Sequence, residues 1–429
     1  MRRAALLWGV FVLPGNGALF HAEAERVFPM NHTIHLKKQL RCIYLSNFFS
    51  GLRITDAVWV ALLAARGFSL WEIGLAESVY HIVSLLCEVP SGMAADLLGR
   101  KRALVAGGIL AVLSSLLMAF APGLFLICAA MGLNALSNTM LFSGTDAALT
   151  YDSLKQAGQE GRYLSVAANR SQIGMLASAL GSLASTLRRF LRFSGFYLVS
   201  ALFSSISTLA MLLLKEPVVT EAQAARSSHS LRELPGQFAQ LVRDSAAALH
   251  GCPLAAKLIA ADAVISVPCY LTKMFLQQRL VELGWPTEWL FLPLLLGGAA
   301  CVAGTEIGRR VHPHTLRRFY TVCALLVGGG TFLVGAAPAW GGILGMMLVQ
   351  GVLEVWLLHA DQRLNALISS DQRATLISVD SMAYSILMIP ASPFVGAVGD
   401  LFGQAGAGLA LLGVLTAASG AAVLAKRRS

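Results

Sequence analysis

Gly92-Met93-Ala94-Ala95-Asp96-Leu97-Leu98-Gly99-Arg100-Lys101-Arg102 sets one acid and three consecutive bases into a short connection between two long apolar stretches. The run reads G-x-x-x-D-x-x-G-R-K-R. Gly92 lets helices approach closely, Asp96 can attract or cap the positive amino-terminal end of a neighbouring helix, and Gly99 permits a tight reversal. Three bases in a row are too costly for hydrocarbon, so the connection marks a membrane surface between two crossings.

The composition on either side agrees. Of the 429 residues 56% are hydrophobic and only 13% charged, whereas soluble domains carry about 25% charged residues. Mean hydropathy is +0.66. Apolar runs recur almost without pause, each near the roughly 17 to 25 residues that cross hydrocarbon. Lipid offers backbone groups no partners, so the crossings must be helices. The spans fall at about 42–65, 71–95, 103–121, 123–148, 163–187, 194–214, 253–280, 288–308, 318–336, 340–368, 374–399 and 404–425. The expected fold is an all-α membrane protein of twelve transmembrane helices.

Charge sets the orientation. The connections on the side of the Arg100 loop collect about 21 Lys and Arg, those on the other side about five. By the positive-inside rule both termini are cytoplasmic in a multi-pass protein of the bacterial inner membrane. The net charge of +10 is scattered among short connections rather than gathered in one patch, which argues against nucleic acid. The seven cysteines stand singly without a C-x-x-C, so neither a metal centre nor a disulfide framework is indicated.

The chain divides into an extension (1–36), a first six-span bundle (37–214), a cytoplasmic linker (215–251), a second bundle (252–425) and a basic tail (426–429). Residues 1–29 read as a dispensable extension, with a signal peptide as the alternative. Within the linker, Leu231, Leu234, Phe238, Leu241 and Val242 recur at helical spacing and predict an amphipathic helix on the membrane surface. The halves echo each other. Asp56-Ala57-Val58 matches Asp262-Ala263-Val264, Asp96 with Arg100 and Lys101 matches Glu306 with Arg309 and Arg310, and Arg162 matches Arg373, at offsets of about 206, 210 and 211 residues.

The Gly92 to Arg102 run resembles the signature loop between helices 2 and 3 of the major facilitator superfamily, and every defining position of that pattern is present. The resemblance implies two pseudo-symmetric six-helix bundles and a transporter that works by alternating access. In that family the loop is a cytoplasmic latch. Carried over, Asp96 would meet helix 11, and Arg100 would meet an acid near the cytoplasmic end of helix 4, for which Asp146 and Asp152 are available; Lys101 helps to fix orientation. Setting topology alone is the plainer role for these residues. Ser143 to Leu154, closing the fourth span, and Arg373 to Met382 are similar to segments of poorly characterised bacterial facilitators, which narrows the branch without naming a cargo.

Charges inside the spans are the candidates for the cavity or for coupling. Arg53 and Asp56, three apart in the first span, would share a helical face and neutralise each other. Asp262 sits at the matching place in the seventh span without a basic neighbour one turn away, and an isolated buried carboxylate favours its neutral form, as proton uptake requires. Glu77 and His81 form an i, i+4 pair in the second span, joined there by Glu88; a metal would need further ligands that the sequence does not supply. Arg170, Glu354 and Asp380 complete the set, Arg170 as a salt-bridge or substrate-anion candidate. Gly396-x-x-x-Asp400-x-x-Gly403 repeats the loop spacing on the opposite side, where a tight helix-end turn is expected.

No Walker loop, G-x-S-x-G element or H-E-x-x-H motif occurs. The reading is therefore a transporter and not an enzyme, without cofactor or metal. It would act as a monomer in the bilayer on a small molecule, with protons as partners. Proton-coupled efflux is the first expectation, and symport of a small polar metabolite or a non-transporting sensor or scaffold are the alternatives.

Overall fold

The computed structural model describes residues 35–142, 144–217, 243, 252–313, 315–367 and 373–425. The extension, most of the linker with its expected amphipathic helix, and the last four residues lie outside that set. Among the described residues the α-helices are α1 (Leu36–Gly51), α2 (Trp59–Ala64), α3 (Leu70–Leu98), α4 (Arg100–Phe120), α5 (Leu124–Phe142), α6 (Thr145–Gln156), α7 (Tyr163–Ser182), α8 (Phe193–Leu212), α9 (Pro253–Glu282), α10 (Phe291–Arg310), α11 (Leu316–Ala336), α12 (Ala339–Leu367), α13 (Arg373–Leu401) and α14 (Ala405–Ala425). No strand occurs among them. Ten of the helices are long and apolar enough to cross a membrane.

Two expected spans fall short of that measure for readable reasons. The first is broken into α1 and α2, with Leu52 to Val58 outside any helix. The fifth, α7, is diluted by Asn169, Arg170, Ser171 and Gln172. The fourth also departs from expectation. It ends at Phe142, and Gly144, in the left-handed region at φ 90°, turns the chain into the separate helix α6. A residue with a Cβ would strain that turn.

The halves are built alike. In the first, α4 packs on α5 and α8 while α3 packs on α5; in the second, α11 packs on α12 and α14 while α10 packs on α12. These are the same pairings one repeat apart. Because lipid tails are as apolar as leucine, helices in a membrane associate through close packing rather than through expulsion of water. The α11–α14 seam illustrates this, since a Cβ at Gly328 would lie 2.6 Å from the Gly413 carbonyl oxygen and one at Gly335 would overlap that of Gly406. Deeper in the second half, fully buried Trp356 stacks on Phe319 at 5.6 Å.

The halves meet along α3 and α13, which run antiparallel. Going down the pair, Leu70 faces Gly396, Gly74 faces Ser392, and the Ser78 hydroxyl donates to the Ile389 carbonyl at 2.6 Å. A Cβ on Gly74 would come within 2.5 Å of the Ser392 carbonyl oxygen. Two further joins sit at the same end of the molecule, opposite the Arg100 loop. Gln277 of α9 reaches the broken first span, and the Ser185 hydroxyl donates to the Glu288 carbonyl at 3.0 Å. Toward the Arg100 loop, Gly92 of α3 has no atom within 4 Å of where its Cβ would be. The halves are thus drawn together at the far end.

Candidate functional site at the junction of the halves

Helix α3 starts sharply. The Ser69 hydroxyl accepts from the Glu72 amide at 3.2 Å while the Glu72 carboxylate accepts from the Ser69 amide at 2.8 Å, a reciprocal cap. The amides of Leu70 and Trp71 donate to the two oxygens of Asp400 at 2.9 and 2.8 Å. All amides of the first turn are thereby satisfied. The helix-end turn expected at this spacing is present, with the Gly403 amide donating to the Asp400 carbonyl at 3.1 Å, and the Asp400 carboxylate in addition crosses to the other half.

Two turns into α3, Glu77 and His81 project toward α9 and α13. They are 1% and 5% exposed, with Nε2 of His81 3.4 Å from Oε1 of Glu77. Neither ring nitrogen of His81, nor that glutamate oxygen, has a hydrogen-bond partner. Three tyrosines surround the imidazole edge to face: Tyr80 at 5.4 Å, Tyr384 of α13 at 5.5 Å and Tyr270 of α9 at 6.3 Å. The carboxylate and the imidazole thus meet where three helices from the two halves converge. The i, i+4 spacing revealed the pair. Nothing local to Tyr270 or Tyr384 announced the aromatic wall, which only the tertiary fold assembles.

Arg53 and Asp56 do not share a helical face as their spacing suggested, because the backbone leaves the helix between Leu52 and Val58. The break is stabilised from the other half: the Gln277 amide donates to the Asp56 carbonyl at 2.8 Å and its oxygen accepts from the Val60 amide at 3.2 Å. Irregular backbone at membrane depth needs such partners.

Asp262 is also placed differently from expectation. Rather than an isolated carboxylate, it is a buried one that accepts from the Trp356 indole at 2.9 Å and from Ser266 at 3.4 Å, inside the second half. Glu354 is buried, whereas Arg53, Glu88 and Asp380 are half-buried.

At the other end, Gly99 takes φ 103° between α3 and α4. The amides of Arg100 and Lys101 donate to the two oxygens of Glu216 at 2.8 and 2.6 Å. The Arg100 guanidinium pairs with Asp152 of α6, while Asp146 pairs with Arg170 of α7, whose guanidinium also donates to Thr150 at 3.3 Å. Of the two acids available to Arg100, Asp152 takes the bond. These contacts involve only the first half and the start of the linker that follows it; the Asp96 side chain is outside the described set. Glu216 escaped the sequence reading because it follows the sixth span, far along the chain from the loop it caps.

The Major Facilitator Superfamily profile matches residues 43–360. Among solved structures, the nucleoside transporter NupG is similar at 15% identity and TM-score 0.67, over 91% of this chain and 97% of that one. A POT family transporter in complex with 5-aminolevulinic acid is similar at 14% identity and TM-score 0.60, over 93% and 97%. A D-xylose-proton symporter is similar at 14% identity and TM-score 0.60, over 90% and 97%. At such identities the likeness concerns the fold. No curated protein matches the chain.

Proposed function

Since the chain belongs to the Major Facilitator Superfamily, we propose that this membrane transporter is a secondary active one, exporting small, moderately apolar compounds across the inner membrane in exchange for protons. The observation that carries the coupling is the buried Glu77–His81 contact at 3.4 Å, on the helix that joins the halves. A charge change there alters the stability of the junction itself, because desolvated ionisable groups are sensitive to every nearby charge and donor. Protonation in one state and release in the other biases which face is open, and that differential is what drives alternating access. Tyr80, Tyr270 and Tyr384 give the site an apolar, polarisable wall suited to aromatic or aliphatic cargo. Asp262 takes no part in this reading; Trp356 and Ser266, which donate to it, belong to the second half.

The excess of Lys and Arg around the Arg100 loop supports that end as cytoplasmic. On that orientation the end joined by Asp400 and Gln277 faces outward, which supports reading this as a state that loads an exported compound from the cytoplasm.

Deletion and overexpression strains screened against a broad compound panel test direction: resistance on overexpression is expected, and dependence on a nutrient would instead favour uptake. With a compound in hand, Glu77→Gln should abolish uphill movement driven by a pH gradient, by about tenfold or more, while downhill exchange persists. Undiminished proton-driven transport by that variant would remove the pair from the coupling.

A further inference from the structure

Helix α9 turns one stripe toward the first half. Tyr270, Lys273 and Gln277 stand at i, i+3 and i+7 on it. Tyr270 meets the His81 ring of α3 at 6.3 Å, and Gln277 holds the Asp56 carbonyl and the Val60 amide. Lys273 lies between these two joins and is half-buried. Among the described residues no carboxylate lies within 4.0 Å of its ammonium, and no acceptor is hydrogen-bonded to it. The recess beside it supplies none either. Its walls are Leu276 and Leu280 of α9, Leu290 and Leu294 at the start of α10, Met346 of α12, and Gln277, whose oxygen already accepts from Val60.

A lone cation at membrane depth is costly. The common relief is for the lysine stem to reach the nearest surface, and here that route is blocked. Lys273 stands two and a half turns, about 13 Å, short of the end of α9 at Glu282. Leu280 and Leu290, each 1% exposed, fill the way. A second donor on the same seam also lacks an acceptor. Trp285, whose amide donates to the Leu280 carbonyl at 2.9 Å and whose ring meets Trp340 of α12 at 5.1 Å, has a buried indole Nε1 with no partner. Buried donors are ordinarily paired, so two unpaired ones on a seam without an acid mark a place for an incoming acceptor.

We propose that Lys273 is the anion-binding residue of the junction and that the cargo is a small monocarboxylate, its carboxylate on the Lys273 ammonium and its apolar body along Tyr270, one turn toward the loop end. The empty protein carries the cost of the unpaired cation, and the carboxylate removes it on arrival. An acid is therefore favoured over its neutral amide. The inference rests on the transporter reading of the junction, but not on its proton coupling.

The test uses the full-length protein with its native cysteines replaced and Leu294→Cys added, so that a thiol stands in the recess wall. Two methanethiosulfonate reagents of similar size, one carrying a sulfonate and one a trimethylammonium, report the local charge. With Lys273 or Lys273→Arg the sulfonate reagent should be favoured, and in Lys273→Met the ratio of the two rates should fall about fivefold. The Lys273→Met protein should melt no lower than its parent, since it loses an unpaired charge. Phenylacetate and hexanoate should protect the thiol, phenylacetamide and phenethylammonium should not, and protection should vanish in Lys273→Met. An unchanged rate ratio in folded Lys273→Met protein, failure of both carboxylates to protect, or equal protection by phenylacetate and phenylacetamide overturns the assignment. Sodium chloride protecting as well as sodium phenylacetate at equal ionic strength also overturns it, giving the site to a free inorganic ion. If the carboxylates protect while no pH gradient drives solute uphill, the subsite stands and the coupling reading falls.

Discussion

A carboxylate in a membrane interior is stable only while donors surround it, and Asp262 draws one of its donors from a side chain 94 residues away, the Trp356 indole. Replacing Trp356 by Phe keeps the stack on Phe319 but leaves the buried carboxylate short of a hydrogen bond, at a cost of about 1 to 3 kcal/mol. Differential scanning fluorimetry in detergent should record a lowered unfolding temperature for Trp356→Phe, and Asp262→Leu added to it should recover part of the loss, because no charge is then left short of a donor. The same dependence on distant chain explains what was legible at this scale. Glu77 with His81 was visible because partners one turn apart share a face wherever the helix lies. Asp262 was misjudged because its partner arrives from another span, and spacing along one helix says nothing about neighbours.

Helices in this molecule are held less by apolar area than by how closely their backbones approach. Gly335 and Gly329 lie in the same helix, α11, yet a Cβ at Gly335 would overlap the Gly406 carbonyl oxygen whereas one at Gly329 meets nothing within 4 Å. Gly335→Ala should therefore force α11 from α14 and destabilise the second half by about 1 to 3 kcal/mol, while Gly329→Ala should be close to neutral or slightly favourable through helix propensity. Paired thermal melts compare them directly, and equal losses would contradict the packing argument. Spans were largely readable from length and hydropathy, since the bilayer imposes both. The break at Leu52 to Val58 was not, because its backbone groups are satisfied by Gln277, 217 residues from Val60 along the chain. Nor was the end of the fourth span at Phe142, where the apolar pattern runs on but Gly144 turns the backbone.

On the scale of the whole molecule, the repeat visible in three short echoes became two halves with matching internal pairings, joined at the end opposite the Arg100 loop. Composition could reveal the repeat but not which face is shut, since both states are built from the same sequence. Orientation and state together predict a labelling pattern. Gly92→Cys, on a cysteine-free background, should react with a membrane-impermeant maleimide in inside-out vesicles and resist it in intact cells; the reverse pattern would invert the assigned topology. The clamp of Gln277 on the first span has a consequence for how fast the shut face yields. Its two hydrogen bonds complete a backbone that lies in the other half, so the halves cannot separate there and leave the Asp56 carbonyl and Val60 amide bare. Solvent must enter as the glutamine leaves, which makes the far gate a wetting event: its barrier is set by the cost of hydrating one unwound turn, and not by the breaking of side-chain contacts alone.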